Sequence, residues 1–249
     1  MTRNPEATHF GYRTVPLDQK TGQVRELFAG VSSRYDLMND LMSARLHRVW
    51  KTALIDWMAP RPGQEILDLA GGTGDIAFRI LDRQPTARVT VLDLTEEMMS
   101  AGRRREVEDR PEAAISWIVG DAGNLPFADG SFNICTVAFG VRNFAEIPLA
   151  LTEIFRVLAI GGRLLVLEFG QVRNALLQEL YDQYSFSVIP KIGQVVAGDR
   201  DSYRYLVESI RLFPDRRRFA AMFEEAGFSN VAIRDMAQGV VSIHSGWKI

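Results

Sequence analysis

From residue 65 onward the chain alternates short apolar runs with longer amphipathic ones, and this rhythm restricts the fold more than any single motif does. The runs at 65–69, 88–92, 115–119, 132–138 and 163–169 are apolar on consecutive residues, not on every other one. Strands of that kind are buried on both faces, as in a parallel sheet covered by helices. Helix-length stretches at 75–81, 96–107 and 146–158 lie between them. The expectation is a doubly wound, Rossmann-like α/β fold that takes its ligands at the carboxyl ends of the strands.

The flanks read differently. Residues 1–22 are polar and punctuated by Pro5, Gly11, Pro16 and Gly22, which suggests a flexible lead-in. Helices are expected over 23–59. There Leu46, Val49, Trp50, Ala53, Leu54, Trp57 and Met58 fall on one helical stripe, and Pro60, Pro62 and Gly63 end it. Residues 170–213 break the strand–helix rhythm with Tyr181, Tyr184, Phe186, Tyr203 and Tyr205, and read as an inserted helical lid. A helix at 214–225 and strand-like runs at 231–234 and 240–243 close a single domain spanning 23–249.

Composition narrows the function classes. The 249 residues carry 29 Lys plus Arg against 31 Asp plus Glu, without the basic excess of a general nucleic-acid binder. The one cysteine, Cys135, allows no internal disulfide and fits a reducing, cytoplasmic setting; in a buried strand it reads as an inert thiol. The three histidines, His9, His47 and His244, are far apart in sequence, so no metal site is expected. No apolar run reaches the roughly 18 residues of a membrane span. The stretch MTRNPEATHFGYRTV lacks the apolar core of a signal peptide.

The chemistry begins at Asp68-Leu69-Ala70-Gly71-Gly72-Thr73-Gly74-Asp75-Ile76-Ala77, between a predicted strand and a predicted helix. Gly72-x-Gly74-x-x-Ala77 fits the nucleotide-binding turn, where glycines let the backbone bend sharply and a ligand come close. Asp93 ends the next strand, placed to accept both hydroxyls of a ribose, and Asp121 ends the third, within reach of an adenine edge. A nicotinamide dinucleotide and S-adenosylmethionine are the competing ligands. Asp68 and Asp75 crowd the turn with negative charge, which opposes a pyrophosphate and suits an ammonium and a sulfonium.

At these residues the chain resembles the class I methyltransferases, and within them the ubiquinone/menaquinone biosynthesis C-methyltransferase family, over residues 23–249. Besides the glycine turn, the resemblance rests on Tyr35-Asp36-Leu37-Met38-Asn39-Asp40-Leu41-Met42-Ser43, His47-Arg48-Val49-Trp50-Lys51, Leu125-Pro126-Phe127, Phe139-Gly140-Val141-Arg142-Asn143, Gly161-Gly162-Arg163-Leu164-Leu165-Val166-Leu167-Glu168-Phe169 and Asp201-Ser202-Tyr203-Arg204-Tyr205-Leu206. It implies a seven-stranded sheet with an antiparallel last strand. It also implies S-adenosyl-L-methionine as methyl donor to a ring carbon of a polyprenylated quinol, either demethylmenaquinol or 2-methoxy-6-polyprenyl-1,4-benzoquinol. Carried over by position, the cofactor contacts are Thr73, Asp93, Asp121, Ala122 and Ala138, beside Gly72 and Gly74 of the turn. Where the family often has serine, Ala138 leaves only backbone and methyl contact.

Carbon methylation needs an electron-rich ring held in line with the donor methyl, with a developing phenolate stabilised and water excluded. Arg142, just past the fourth strand, is assigned as stabiliser of the phenolate; the competing reading is a surface pair with Glu146. Asn143 would hydrogen-bond a ring oxygen. His47 is the histidine expected to move the proton, against a reading as an exposed polar residue beside Arg48. Tyr35 and Asn39 would line the quinol pocket, or else serve as a core aromatic and a helix cap. The runs Arg103-Arg104-Arg105 and Arg216-Arg217-Arg218 read as solvated helix faces, with contact to anionic lipid at the inner membrane face as the functional alternative. Other quinone-biosynthesis proteins or a second copy of the chain are the further partners considered. Methylation of another small phenol or lipid, and a cofactor-binding scaffold without activity, are the rival functions.

Overall fold

The computed structural model describes residues 7–31, 40, 43, 45–109, 115–170 and 200–249. Tyr35 and Asn39 lie outside them, as does 171–199 of the expected lid. The described chain runs β1 (Ala7–Phe10), β2 (Arg13–Pro16), α1 (Leu17–Val31), α2 (Leu46–Met58), β3 (Glu65–Leu69), α3 (Asp75–Arg83), β4 (Arg88–Asp93), α4 (Glu96–Asp109), β5 (Ile115–Val119), β6 (Phe132–Ala138), α5 (Ile147–Val157), β7 (Leu158–Phe169), α6 (Arg200–Leu212), α7 (Arg216–Glu225), β8 (Ser229–Met236) and β9 (Val241–Trp247). A 3-10 turn, Val141–Asn143, follows β6.

Seven strands form one sheet in the order β5-β4-β3-β6-β7-β9-β8. The five strands β3 to β7 are parallel, and β9 enters antiparallel between β7 and β8. Side chains alternate across each strand and so feed two layers. Leu67, Leu69, Cys135, Val137, Leu164 and Val166 pack on α5 and α7, whereas Ile66, Val89, Val91, Ile134 and Leu165 pack on α2 and α3. Cys135 is fully enclosed, and burial raises its thiol pKa well above the ordinary value.

Local chemistry explains the ends. Helix α2 stops where Ala59 turns left-handed (φ 49°), its N–H still reaching Ile55 O. At α7, the Asp215 carboxylate accepts from the backbone N–H groups of Arg217 and Arg218 at 2.8 and 3.1 Å, a cap that contributes about 1 kcal/mol.

The lead-in differs from expectation. Residues 7–16 form an antiparallel hairpin and α1 begins at Leu17. Gly11, at φ 56°, occupies the first of the two turn residues, where a left-handed backbone favours glycine. The hairpin is held because Phe10 and Val15 bury with Val24 and Tyr205, and because Tyr12 N–H donates to Glu208 Oε2 at 2.9 Å. Among the described residues no helix is long and apolar enough to cross a membrane.

Candidate active site

The glycine turn crosses the carboxyl end of β3 and is held from β4. Asp93 accepts the Gly72 N–H on Oδ2 at 2.9 Å and the Thr95 N–H on Oδ1 at 2.8 Å. Burial pushes the Asp93 pKa up, opposed by these backbone donors. Each carboxylate oxygen has two acceptor sites, so acceptor capacity remains for a ligand. Gly74 has φ 74°, and a Cβ there would lie 2.5 Å from the Trp117 ring. Glycine is thus required at that position by backbone and packing together.

The other two acids of the turn are not arranged as the sequence suggested. Asp75 is neutralised by Lys51 Nζ at 2.8 Å and Arg79 Nε at 3.3 Å. Those cations outweigh its burial and lower its pKa. Asp68 lies fully buried beneath the turn, and neither of its carboxylate oxygens has a hydrogen-bond partner. Burial raises its pKa to about 8. Asp75 is therefore no free charge for a ligand, and Asp68, fully enclosed, presents no surface to one.

Around Asp93 a cavity of about 690 Å³, open mouth included, is lined by Gly72, Asp121, Ala122, Asn143 and, from α1, Thr21 and Phe28. Asp121 accepts the Gly123 N–H at 2.8 Å, and Thr21 Oγ1 donates to its other oxygen at 3.4 Å. Of the residues assigned to the cofactor, Gly72, Asp93, Asp121 and Ala122 are on this wall, while Thr73, Gly74 and Ala138 are not. Thr73 is buried against Gly102, and Ala138 pairs in register with Leu167 inside the sheet.

A second chamber of about 940 Å³, open mouth included, adjoins it and shares the wall segment Phe144–Ala145. Its lining is largely apolar by area, from Ile147, Phe213 and Met222 among others, with Lys20, Arg142, Glu146 and Tyr205 among the polar members. Arg142 is no surface cation paired with Glu146. It is 8% exposed, and its Nη1 donates to Glu168 Oε1 at 2.7 Å and to Phe139 O at 2.6 Å. Its Nε is buried without a partner. Phe139 presents that carbonyl from a left-handed backbone (φ 58°), a conformation that costs an aromatic residue strain on the order of 1–3 kcal/mol. Asn143 Oδ1 accepts the Tyr205 hydroxyl at 3.0 Å, which leaves the amide N–H₂ to donate.

His47 lines neither cavity. Its Nε2 is 2.7 Å from Asp40 Oδ1, and burial lowers its pKa despite that carboxylate. Proton transfer at this site is thus not a role the geometry gives it. Sequence reading missed Glu168, Tyr205 and the contribution of α1. A glutamate ending an otherwise apolar, doubly buried strand was the available signal for Glu168, because such a charge needs a partner.

The sequence pattern of the ubiE/COQ5 methyltransferase family matches residues 16–248. The chain is 58% identical over 245 residues to a ubiquinone/menaquinone biosynthesis C-methyltransferase UbiE of Paracoccus denitrificans, covering 98% of each chain. Among solved structures, an S-adenosylmethionine-dependent methyltransferase, possible histamine N-methyltransferase, from Thermotoga maritima superposes with a TM-score of 0.65 at 17% identity, covering 91% of this chain and 100% of that one. A phosphoethanolamine N-methyltransferase 2 of Haemonchus contortus in complex with S-adenosyl-L-methionine superposes with a TM-score of 0.60 at 16% identity, over 80% of this chain and 52% of that one.

Proposed function

Because the chain belongs to the ubiE/COQ5 methyltransferase family, we propose that it is an S-adenosyl-L-methionine-dependent C-methyltransferase of a polyprenylated quinol ring in ubiquinone/menaquinone biosynthesis. The observation that carries this reading is the pair of adjoining chambers. One is edged by Asp93, Asp121 and the glycine turn, and the other is largely apolar with Lys20, Arg142 and Tyr205 on its wall.

The first chamber fits the cofactor on its own chemistry. Asp93 keeps acceptor capacity for ribose hydroxyls, and Asp121 lines the chamber beside Ala122. Gly72 adds no side chain to fill the space: a Cβ there would meet Met98 Cε at 3.2 Å. When bound, the cofactor supplies an electrophilic methyl on a positively charged sulfur.

The second chamber takes the ring and the start of its isoprenoid tail against Ile147, Phe213 and Met222. Glu168 balances most of the Arg142 charge, and Arg142, on the wall of this chamber, is the guanidinium placed to stabilise the developing phenolate. Asn143, held by Tyr205, donates its amide N–H₂ from the boundary of the chambers. Enclosure of both groups keeps water from competing for the ring oxygen.

For a substrate that resides in the bilayer, the exposed faces carrying Arg104 and Arg217 provide peripheral contact with anionic lipid. Co-sedimentation with anionic vesicles at low salt tests that contact, and its absence would remove it. Transfer of labelled methyl from S-adenosylmethionine to a short-tailed demethylated benzoquinol or naphthoquinol tests the activity. The expected product carries the label on ring carbon; cofactor binding without transfer to either quinol would overturn the assignment.

A further inference from the structure

Lys20 precedes Thr21 on α1, and the two neighbours face different chambers: Thr21 the first, Lys20 the second. Lys20 is only 7% exposed. Among the described residues no hydrogen bond or ion pair engages its ammonium. A lysine this enclosed normally has a carboxylate to balance it, because an isolated buried charge is costly. Here it stands in the same chamber as Arg142 and Tyr205.

We infer that Lys20 is the proton acceptor of the reaction, its Nζ taking the hydroxyl proton of the quinol held in the second chamber. This rests on the quinol C-methyltransferase reading. The O–H bond breaks, an N–H bond forms at Nζ, and the electron pair stays on the ring oxygen, activating the neighbouring ring carbon. Once the methylated carbon has lost its own hydrogen to water, the ring oxygen takes the proton back from Nζ, and Lys20 is restored.

The other residues of the chamber do not fill this role. The Arg142 guanidinium cannot give up a proton to become a base. Tyr205 already donates to Asn143, and burial pushes its pKa up to about 12. His9 is exposed at the rim, and Glu146 offers a carboxylate, a far weaker base than an amine. Burial lowers the Lys20 pKa to about 8, so a larger share of the side chain is unprotonated near neutral pH and able to accept a proton. On the elements packed against α1, Arg13 of β2 lies over the Phe10 ring, and on α4 Glu96 pairs with Arg103 while Glu106 accepts the Trp117 indole N–H.

The test compares wild type with Lys20→Met and with Lys20→Arg, which keeps the positive charge but cannot accept the proton. In the wild type kcat/KM for a short-tailed demethylated quinol should rise with pH through an inflection near 8. Both variants should fall by about 100-fold or more and lose that inflection, while binding S-adenosylhomocysteine like the wild type. A second reading needs no turnover. Bound 2-methoxy-4-nitrophenol, whose absorbance separates phenol from phenolate, should be phenolate in the wild type and revert towards phenol in Lys20→Met.

Either variant keeping the wild-type rate and pH profile would overturn the role of Lys20 and leave the methyltransferase reading intact. So would a nitrophenol ionised equally in wild type and Lys20→Met. A wild type that methylates neither class of quinol would remove the functional reading itself, and this inference with it.

Discussion

Arg142 and Glu168, 26 residues apart, meet in a buried ion pair at 2.7 Å across the carboxyl ends of β6 and β7. The pair holds a guanidinium at the chamber wall without leaving its charge bare. Burial raises the Glu168 pKa, and Arg142 pulls it back down.

Removing one partner should therefore cost more than removing both. Glu168→Leu leaves a buried cation unpaired and is expected to destabilise the fold by about 3–5 kcal/mol. Arg142→Met with Glu168→Leu should be more stable than Glu168→Leu alone, yet at least about 100-fold less active. Urea unfolding and methyl-transfer assays on the same samples check this, and a double variant with wild-type turnover would remove Arg142 from the chemistry.

Asp93→Ala strips the Gly72 and Thr95 N–H groups of their acceptor and removes the acid from the cofactor wall. Affinity for S-adenosylhomocysteine should drop by about 100-fold, the loss of one or two charge-assisted hydrogen bonds. Calorimetric titration measures it; an unchanged Kd would move the ribose site elsewhere.

Gly102 of α4 faces the Trp117 ring, and a Cβ there would come within 2.9 Å of Thr73 O as well. Gly102→Ala is expected to destabilise by about 1–3 kcal/mol through overpacking. Trp117→Ala should relieve part of the penalty, so the double variant is less destabilised than the two single effects added. Strict additivity in denaturant titrations would show that the ring is not what the new methyl meets.

Asp68 makes stability depend on pH. The folded chain holds its proton up to about pH 8, whereas the unfolded chain releases it near about pH 4. Between those values the folded state binds the extra proton, so this residue's contribution falls as pH rises from about 4 to about 8. Asp68→Asn should flatten that slope and be more stable than wild type at pH 8 by on the order of 1–3 kcal/mol. Equal pH slopes in wild type and variant would count against the assignment.

Much of the fold was legible because the signals were local. The 46–58 stripe coincides with α2, and the apolar runs at 65–69, 115–119 and 132–138 coincide with β3, β5 and β6. The hairpin was not legible, because Ala7-Thr8-His9-Phe10 and Arg13-Thr14-Val15-Pro16 bury little beyond Phe10 and Val15. What pins them is Glu208, almost two hundred residues on, and no local pattern announces such a partner. At the site, glycines and acids could be placed on strand ends by spacing. Their charge states could not, since Lys51 neutralises Asp75 and Glu168 balances Arg142 only through tertiary contact.

The neighbours Lys20 and Thr21 make α1 a partition with a ligand chamber on either side. A partition cannot be firmed on one side and left loose on the other. Whatever free energy the cofactor adds by seating α1 through Thr21 and Asp121 also reaches the chamber that Lys20 faces, and linkage returns it in equal measure when the quinol arrives first. On the proposed reading the two ligands should therefore bind as a cooperative pair, with the hairpin that braces α1 part of the coupling.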